Sequence, residues 1–151
     1  MECSSLKGKV MKIKEGAGYE DKVYDQCVFI ELPDGKVIDL FDSEMLVHPD
    51  MIGKVIDVTI DVFISRIEKL PEPKYGIEAA LTKEGEYKKR GYGHVFSGKI
   101  EDIDKSNAKL ILDTNIGEIL VTPNKEEYNS FQIGDFVKVF ASRTDLFRVY
   151  D

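Results

Sequence analysis

The chain repeats itself, and this internal repeat constrains its fold more than any other feature of the sequence. Three blocks recur in the same order and with similar spacing. LKGKV, which starts at Leu6, matches FSGKI, which starts at Phe96. DGKVI at Asp34 matches IGEIL at Ile116, and IGKV at Ile52 matches IGDF at Ile133. The 151 residues are therefore predicted to form two copies of one small unit.

Each unit carries the alternating pattern that is typical of β-strands. Aliphatic side chains occupy every second position from Ile56 to Ile64, with Asp57, Thr59 and Asp61 between them. A period of two predicts a strand whose aliphatic face is buried and whose polar face, with Asp57 and Asp61, is solvated. Two carboxylates from a single segment do not form a cation site, so no metal is expected there.

The apolar positions of the predicted strands indicate a core in each unit. The first core is predicted to contain Val10, Ile13, Val28, Ile30, Val58, Ile60 and Val62. The second core is predicted to contain Ile100, Ile103, Leu110, Leu112, Ile119, Val137 and Val139. A unit of about 60 residues buries only about 60% of its surface and is marginally stable alone. The two units are therefore expected to pack against each other.

The elements of each unit follow the order strand, strand, strand, short helix, strand, strand. The short helices are expected in the polar segments 42–50 and 122–130. This order resembles the OB-fold, a five-stranded Greek-key barrel. The predicted fold class is therefore all-β, with two tandem OB-like five-stranded Greek-key barrels and short connecting helices.

A segment rich in proline, glycine and charged residues separates the two units. The predicted domains are a first barrel at 1–82, a linker at 83–93 and a second barrel at 94–151. Residues 75–81 could supply the last strand of the first barrel.

The second half of the chain resembles the small OB-type domains of the TOBE and Mop group. The matching segments are GKI at 98–100, IGEI at 116–119, IGDFV at 133–137 and DLF at 145–147. The resemblance implies domains that often occur in tandem and that bind oxyanions such as molybdate or act as regulatory appendages. That family has Ser–Ala-rich anion-contacting segments, whereas this chain has NKEE at 124–127. The resemblance therefore implies the architecture rather than the ligand.

The junction between the units contains RGYGHV at 90–95, which resembles the RNP1 pattern of RRM and cold-shock proteins. In those families the basic residue contacts phosphate, the glycines allow close approach and the aromatic residues stack on bases. Residues 83–91 carry four bases and two acids, so positive charge is concentrated here. The alternative is a solvated linker. The candidate nucleic-acid-binding residues are Tyr87, Lys88, Lys89, Arg90, Tyr92 and His94.

The sequence contains no recognisable catalytic motif. It has neither a GxSxG elbow nor a P-loop, and His48 and His94 have no partner at metal-ligand spacing. We therefore expect no enzyme activity, no catalytic residue, no metal site and no cofactor. Cys3 and Cys27 lack CxxC spacing and are predicted to be reduced thiols. Without a signal-peptide pattern or a long apolar run, the chain is expected to be cytoplasmic and not membrane-bound.

Three functions follow from these observations. The first is binding of single-stranded RNA or DNA through a barrel face and the basic–aromatic junction. The second is a protein-interaction or regulatory adaptor, which the net charge of −7 and the lack of catalytic motifs favour. The third is binding of a small oxyanion, as in TOBE and Mop proteins. Convergence of aromatic and basic side chains on one exposed face would favour the first function, scatter would favour the second, and a closed anion-sized cavity between the barrels would favour the third.

Overall fold

The computed structural model describes residues 5–16, 18–19, 22–23, 25–78, 94–124 and 127–150. The strands are β1 (Leu6–Glu15), β2 (Gly18–Tyr19), β3 (Lys22–Val23), β4 (Gln26–Glu31), β5 (Val37–Asp42), β6 (Val55–Lys69), β7 (Gly76–Glu78), β8 (Val95–Asp104), β9 (Lys109–Asp113), β10 (Glu118–Thr122) and β11 (Phe136–Tyr150). The all-β prediction is confirmed. The predicted short helices are 3₁₀ turns of three residues each, at Pro49–Met51 and Tyr128–Ser130.

The nine strands other than β2 and β3 form one sheet that closes on itself twice. One ring runs from β1 to β4 and β5, then to the C-terminal half of β11, the N-terminal half of β6 and back to β1. The other runs from β8 to β9 and β10, then to the C-terminal half of β6, the N-terminal half of β11 and back to β8. Each ring thus has five strands, one of them borrowed from the other repeat. That each ring is an OB-fold stays a prediction.

The exchange of strands depends on the length of β6 and β11, which have 15 residues each. They pair antiparallel from Asp57 opposite Tyr150 to Lys69 opposite Val137, and we call this pair the central ribbon. The division of the chain at 1–82 and 94–151 stays a prediction, and strand pairing crosses it. The expectation that 75–81 closes the first ring is wrong, because β7 pairs with β8 and β11 takes that position.

The two halves repeat the same local geometry where the sequence blocks match. The opening strands β1 and β8 each contain a register shift, after Val10 and after Ile100. Beside each shift, a glycine of the third block donates its N–H to that residue's carbonyl: Gly53 to Val10 at 2.7 Å and Gly134 to Ile100 at 2.8 Å. The matched glycines therefore turn the chain back onto the first strand in both repeats.

The predicted core residues lie in one continuous apolar core. All of them are buried except Ile13 and Ile103, which are half-buried and pack against the others. The predicted solvated face of β6 is wrong at Thr59 and Asp61, which are buried. Lys109 of β9 and Thr122 of β10 contact Asp61. They reach it because β10 pairs with β6.

Candidate functional site

The structure describes one of the six predicted nucleic-acid-binding residues. Its side chain, that of His94, is fully buried. Nε2 of His94 lies 3.0 Å from Oδ1 of Asp39, and Nδ1 lies 3.4 Å from Oγ1 of Thr144. His94 therefore contacts strands of the first ring inside the protein instead of lying on an exposed face. The remaining five, Tyr87, Lys88, Lys89, Arg90 and Tyr92, lie outside the described residues.

A different pair of segments brings cations and aromatic rings together on the surface. The pattern Phe-x-Ser-Arg occurs once in each strand of the central ribbon, as FISR at 63–66 and FASR at 140–143. The antiparallel pairing of β6 and β11 places these two copies opposite each other. We call residues 63–66 and 140–143 the FxSR pair.

The backbone of the FxSR pair has a local two-fold arrangement. Ile64 pairs with Ala141 at its centre, and both side chains are buried in the core. On either side, the register shifts by one residue, which leaves Ser65 and Ser142 as bulged positions. Both serines are exposed. The two bulges therefore turn equivalent residues of the two strands toward the same solvent-facing side of the ribbon.

Hydrogen bonds from the serines fix these bulges. Oγ of Ser65 donates to the carbonyl oxygen of Phe140 at 3.1 Å. Oγ of Ser142 donates to the carbonyl oxygen of Phe63 at 2.8 Å. Each hydroxyl satisfies a carbonyl of the opposite strand, so the bulges are held by reciprocal contacts.

The arginines of the FxSR pair lie over the phenylalanine rings of the opposite strand. Cζ of Arg66 is 4.1 Å from the ring centroid of Phe140, and Cζ of Arg143 is 4.9 Å from that of Phe63. Nζ of Lys138 also lies 5.3 Å from the Phe140 centroid. Cation–π contacts of this kind hold a charged group in place without consuming its hydrogen-bond donors.

Each arginine also has a carboxylate partner, and the two partners differ in exposure. Nη2 of Arg66 lies 3.0 Å from Oε1 of Glu68, whose side chain is 45% exposed. Arg143 donates from Nε and Nη2 to both oxygens of Asp145, at 2.7 and 2.9 Å. The Asp145 side chain is 19% exposed. Burial raises the pKa of Asp145, while the hydrogen bonds and charge of Arg143 lower it.

The contacts of Asp61, two residues before Phe63 on the same face of β6, adjoin this surface. Nζ of Lys109 donates to Asp61 and, at 2.9 Å, to Oγ1 of Thr122, which in turn donates to Oδ1 of Asp61 at 2.7 Å. Asp61 pairs directly with Asp145 across the ribbon. Strands of the second repeat thereby fix the strand that carries the first FxSR segment.

The sequence alone could have indicated the FxSR pair only as a repeated four-letter pattern. The repeat does not align the two copies, because Ile52 and Ile133 of the matched blocks are 81 residues apart whereas Phe63 and Phe140 are 77 apart. The sequence shows that a phenylalanine, a serine and an arginine recur at the same spacing. Only the pairing register of the strands shows that the two copies are adjacent.

The described ranges also contain cavities and titratable groups outside the FxSR pair. Two cavities of about 360 and about 380 Å³ lie beside the 3₁₀ turns, one between Ile13 and Ile52 and the other between Ile103 and Ile133. Within the part of the chain that the structure describes, no three His, Cys, Asp or Glu side chains are placed to hold a metal ion. The same part contains no helix long and apolar enough to cross a membrane.

Comparison with known proteins gives one similar structure. No protein-family model and no curated protein matches the chain. A solved structure described as the cytoplasmic molybdate-binding protein ModG, with molybdate bound, is 17% identical and has a TM-score of 0.45. The match covers 94% of this chain and 93% of that chain. At this identity and TM-score, the similarity assigns no ligand to this chain.

Proposed function

We propose that this chain is a non-catalytic binding protein for a small oxyanion, and that Arg66 and Arg143 of the FxSR pair hold the anion. The observation that carries the proposal is the placement of these two guanidinium groups on one exposed side of the central ribbon by reciprocal serine and phenylalanine contacts.

The guanidinium group is suited to this role because its planar fork matches the oxygen atoms of an oxyanion. A guanidinium has five N–H donors, and in Arg143 the bidentate edge formed by Nε and Nη2, which an oxyanion would use, holds Asp145. The ring contacts restrict both arginines before any ligand arrives, which reduces the entropy lost on binding.

The spacing of the two arginines fits a single ion. The two residues are separated by about two ladder steps along the ribbon and by one strand spacing across it, or about 8 Å between Cα atoms. Glu68 and Asp145 hold the two guanidinium groups toward opposite ends of the FxSR pair, so an anion between them would replace both carboxylate contacts. The bulged Ser65 and Ser142 lie between the arginines and are exposed.

Charge favours a small anion over a long one. The net charge of the chain is −7, and Glu68 and Asp145 lie within the same patch. A nucleic acid strand would extend its phosphates over acidic surface, whereas one oxyanion would experience chiefly the two nearest cations.

Single-stranded nucleic acid is a second candidate for the same surface, because phenylalanine and arginine converge there. The convergence of Phe63, Phe140, Arg66, Arg143 and Lys138 on one exposed side is the arrangement that base stacking would need. Both rings already contact cations of the same chain, so a base would have to displace an arginine before it could stack. An adaptor function stays a prediction.

Equilibrium dialysis tests the proposal. Tetrahedral dianions (sulfate, phosphate, molybdate and tungstate) and a fluorescent single-stranded oligonucleotide are titrated against the native protein and against Arg66→Gln and Arg143→Gln. The control is Arg148→Gln, because Arg148 is also exposed, also contacts a ring and lies in the same strand outside the FxSR pair.

We expect at least one dianion to bind and each FxSR variant to weaken it by about 10- to 150-fold, which corresponds to the loss of about 1.5 to 3 kcal/mol per hydrogen bond to a charged group. Arg148→Gln should change the affinity by less than about twofold. Binding of the oligonucleotide alone would replace the proposal by the second candidate. Binding of no ligand, or equal binding by all variants, would refute the site.

A further inference from the structure

Asp145 occupies the edge of Arg143 that a ligand would use. Its two carboxylate oxygens accept hydrogen bonds from Nε and Nη2 of Arg143. This bidentate geometry is the one by which a guanidinium holds an oxyanion. The carboxylate is therefore an internal competitor for the ligand.

Asp145 is more buried than Glu68, the carboxylate partner of Arg66. The Asp145 side chain is 19% exposed and the Glu68 side chain is 45% exposed. On β6, Asp61 lies directly opposite Asp145, and on β5 the facing residue is Phe41. Lys109 from β9 is bound to Asp61. The charged groups around Asp145 are thus one carboxylate, Asp61, and two cations, Arg143 and Lys109.

We infer that Asp145 sets the affinity of the proposed site, because an oxyanion must displace its carboxylate from Arg143 and therefore binds together with a proton. The inference rests on the proposed function and assigns to Asp145 a role that Glu68 does not share.

Anion binding is coupled to a proton because it leaves the Asp145 carboxylate without its arginine partner. Without Arg143, the Asp145 carboxylate would be partly buried, opposite Asp61 and close to the bound anion. Burial and neighbouring negative charge both disfavour an ionised carboxylate. Burial already raises the pKa of Asp145 while Arg143 is bound, and loss of the arginine removes the largest contributions that lower it and leaves only the smaller one of Lys109. Glu68 is exposed enough to keep its charge in water when it is displaced.

The sign of the pH dependence is fixed by proton uptake. Because the complex holds one more proton than the free protein, affinity rises as pH falls through the range between the pKa of Asp145 in the free protein and its higher pKa in the complex. For one proton the limit is about tenfold in affinity per pH unit. Below the pKa of the free protein the dependence disappears, because Asp145 is then already protonated.

Isothermal titration calorimetry with sulfate measures this linkage, since sulfate keeps its charge of −2 across the range used. The titration is run from about pH 5 to about pH 7 in buffers of different ionisation enthalpy, so that the dependence of heat on buffer counts the protons taken up. The native protein is compared with Asp145→Asn, which keeps the size of the side chain, and with Glu68→Gln as the matched control.

We expect the native protein to take up a proton and its affinity for sulfate to rise by up to about tenfold per pH unit as pH falls. Asp145→Asn should bind sulfate more tightly at about pH 7 and lose the pH dependence. Glu68→Gln should bind more tightly but keep the pH dependence of the native protein. The proton count in the native protein needs no variant, so an absence of proton uptake overturns the inference even if Asp145→Asn does not fold.

Sulfate binding without proton uptake, with affinity independent of pH, would overturn the inference and leave the proposed function intact. A pH dependence that persists in a folded Asp145→Asn protein would overturn it as well. If sulfate does not bind, the same titration is made with the dianion that does; if none of the four dianions binds, the proposed function fails and the inference fails with it.

Discussion

Substituting alanine for glycine at equivalent positions of the two repeats tests the packing of the rings. A Cβ at Gly98 would lie 2.0 Å from the carbonyl oxygen of Asp113, which is backbone of the neighbouring strand β9. At the equivalent Gly8, a Cβ would lie 2.8 Å from Cδ1 of Ile30, which is the end of a side chain. We expect Gly98→Ala to destabilise the protein more than Gly8→Ala.

The loss of stability in each variant depends on whether the atoms that clash with the new Cβ can move. Overpacking in a core costs about 1 to 3 kcal/mol, and Gly8→Ala should fall in that range because Ile30 can change rotamer in part. At Gly98 no rotamer relieves the contact, and β8 must move away from β9 by about 1 Å, so at least about 3 kcal/mol is expected. For a chain of this size that lowers the melting temperature by about 6 to 12 °C.

Urea titration followed by circular dichroism gives the two free energies of unfolding, and thermal melts give the two melting temperatures. The native protein is measured beside both variants. Equal stability of Gly8→Ala and Gly98→Ala, or a less stable Gly8→Ala, would contradict the close approach of β8 and β9.

Three further predictions concern charged groups. Asp61→Asn should lower the free energy of unfolding in urea titration by about 1 to 3 kcal/mol, because the buried Asp61 accepts hydrogen bonds from Lys109 and Thr122. Asp50→Asn, at an exposed position, should leave the free energy of unfolding almost unchanged. Hydrogen bonds from Asn107 and Ser106 lower the pKa of Asp104 from 3.8 to about 2. The contribution of Asp104 to stability should therefore disappear as pH falls from about 4 to about 2. Asn107→Ala should raise the titration midpoint of Asp104, which NMR measures. If the junction binds single-stranded nucleic acid, the binding constant should fall with salt at a log–log slope of about −2, and serine at Lys88, Lys89 and Arg90 together should abolish binding in fluorescence titrations.

The all-β fold and its core were predictable because they depend on local alternation. Val10 and Ile100 lie at equivalent places in matched segments, and both are fully buried. The exchange of half-strands between the rings was not predictable in this way. Alternation shows which side of β6 is buried but not which strand covers the other side. It therefore predicts a solvated Asp61, whereas Lys109 and Thr122 of the second repeat cover it.

The candidate site depends on register even more strongly. The pattern Phe-x-Ser-Arg is visible twice in the sequence, at 63–66 and 140–143, yet nothing local to either copy places them face to face. Their juxtaposition requires two 15-residue strands paired along their length and one bulge on each side of Ile64 and Ala141. At the junction, by contrast, basic and aromatic residues are adjacent in sequence, so their pattern is visible without knowledge of strand register.

The chain has four arginines, and their side-chain Nε–H resonances test the central claim in one NMR titration. Arg66 and Arg143 report on the FxSR pair, Arg90 on the junction and Arg148 on an exposed arginine outside both. As sulfate or molybdate is added, the proposed function predicts saturable shifts of Arg66 and Arg143 with one common dissociation constant, while Arg90 and Arg148 stay unchanged. Shifts confined to Arg90, or no saturable shift at Arg66 and Arg143, would contradict it.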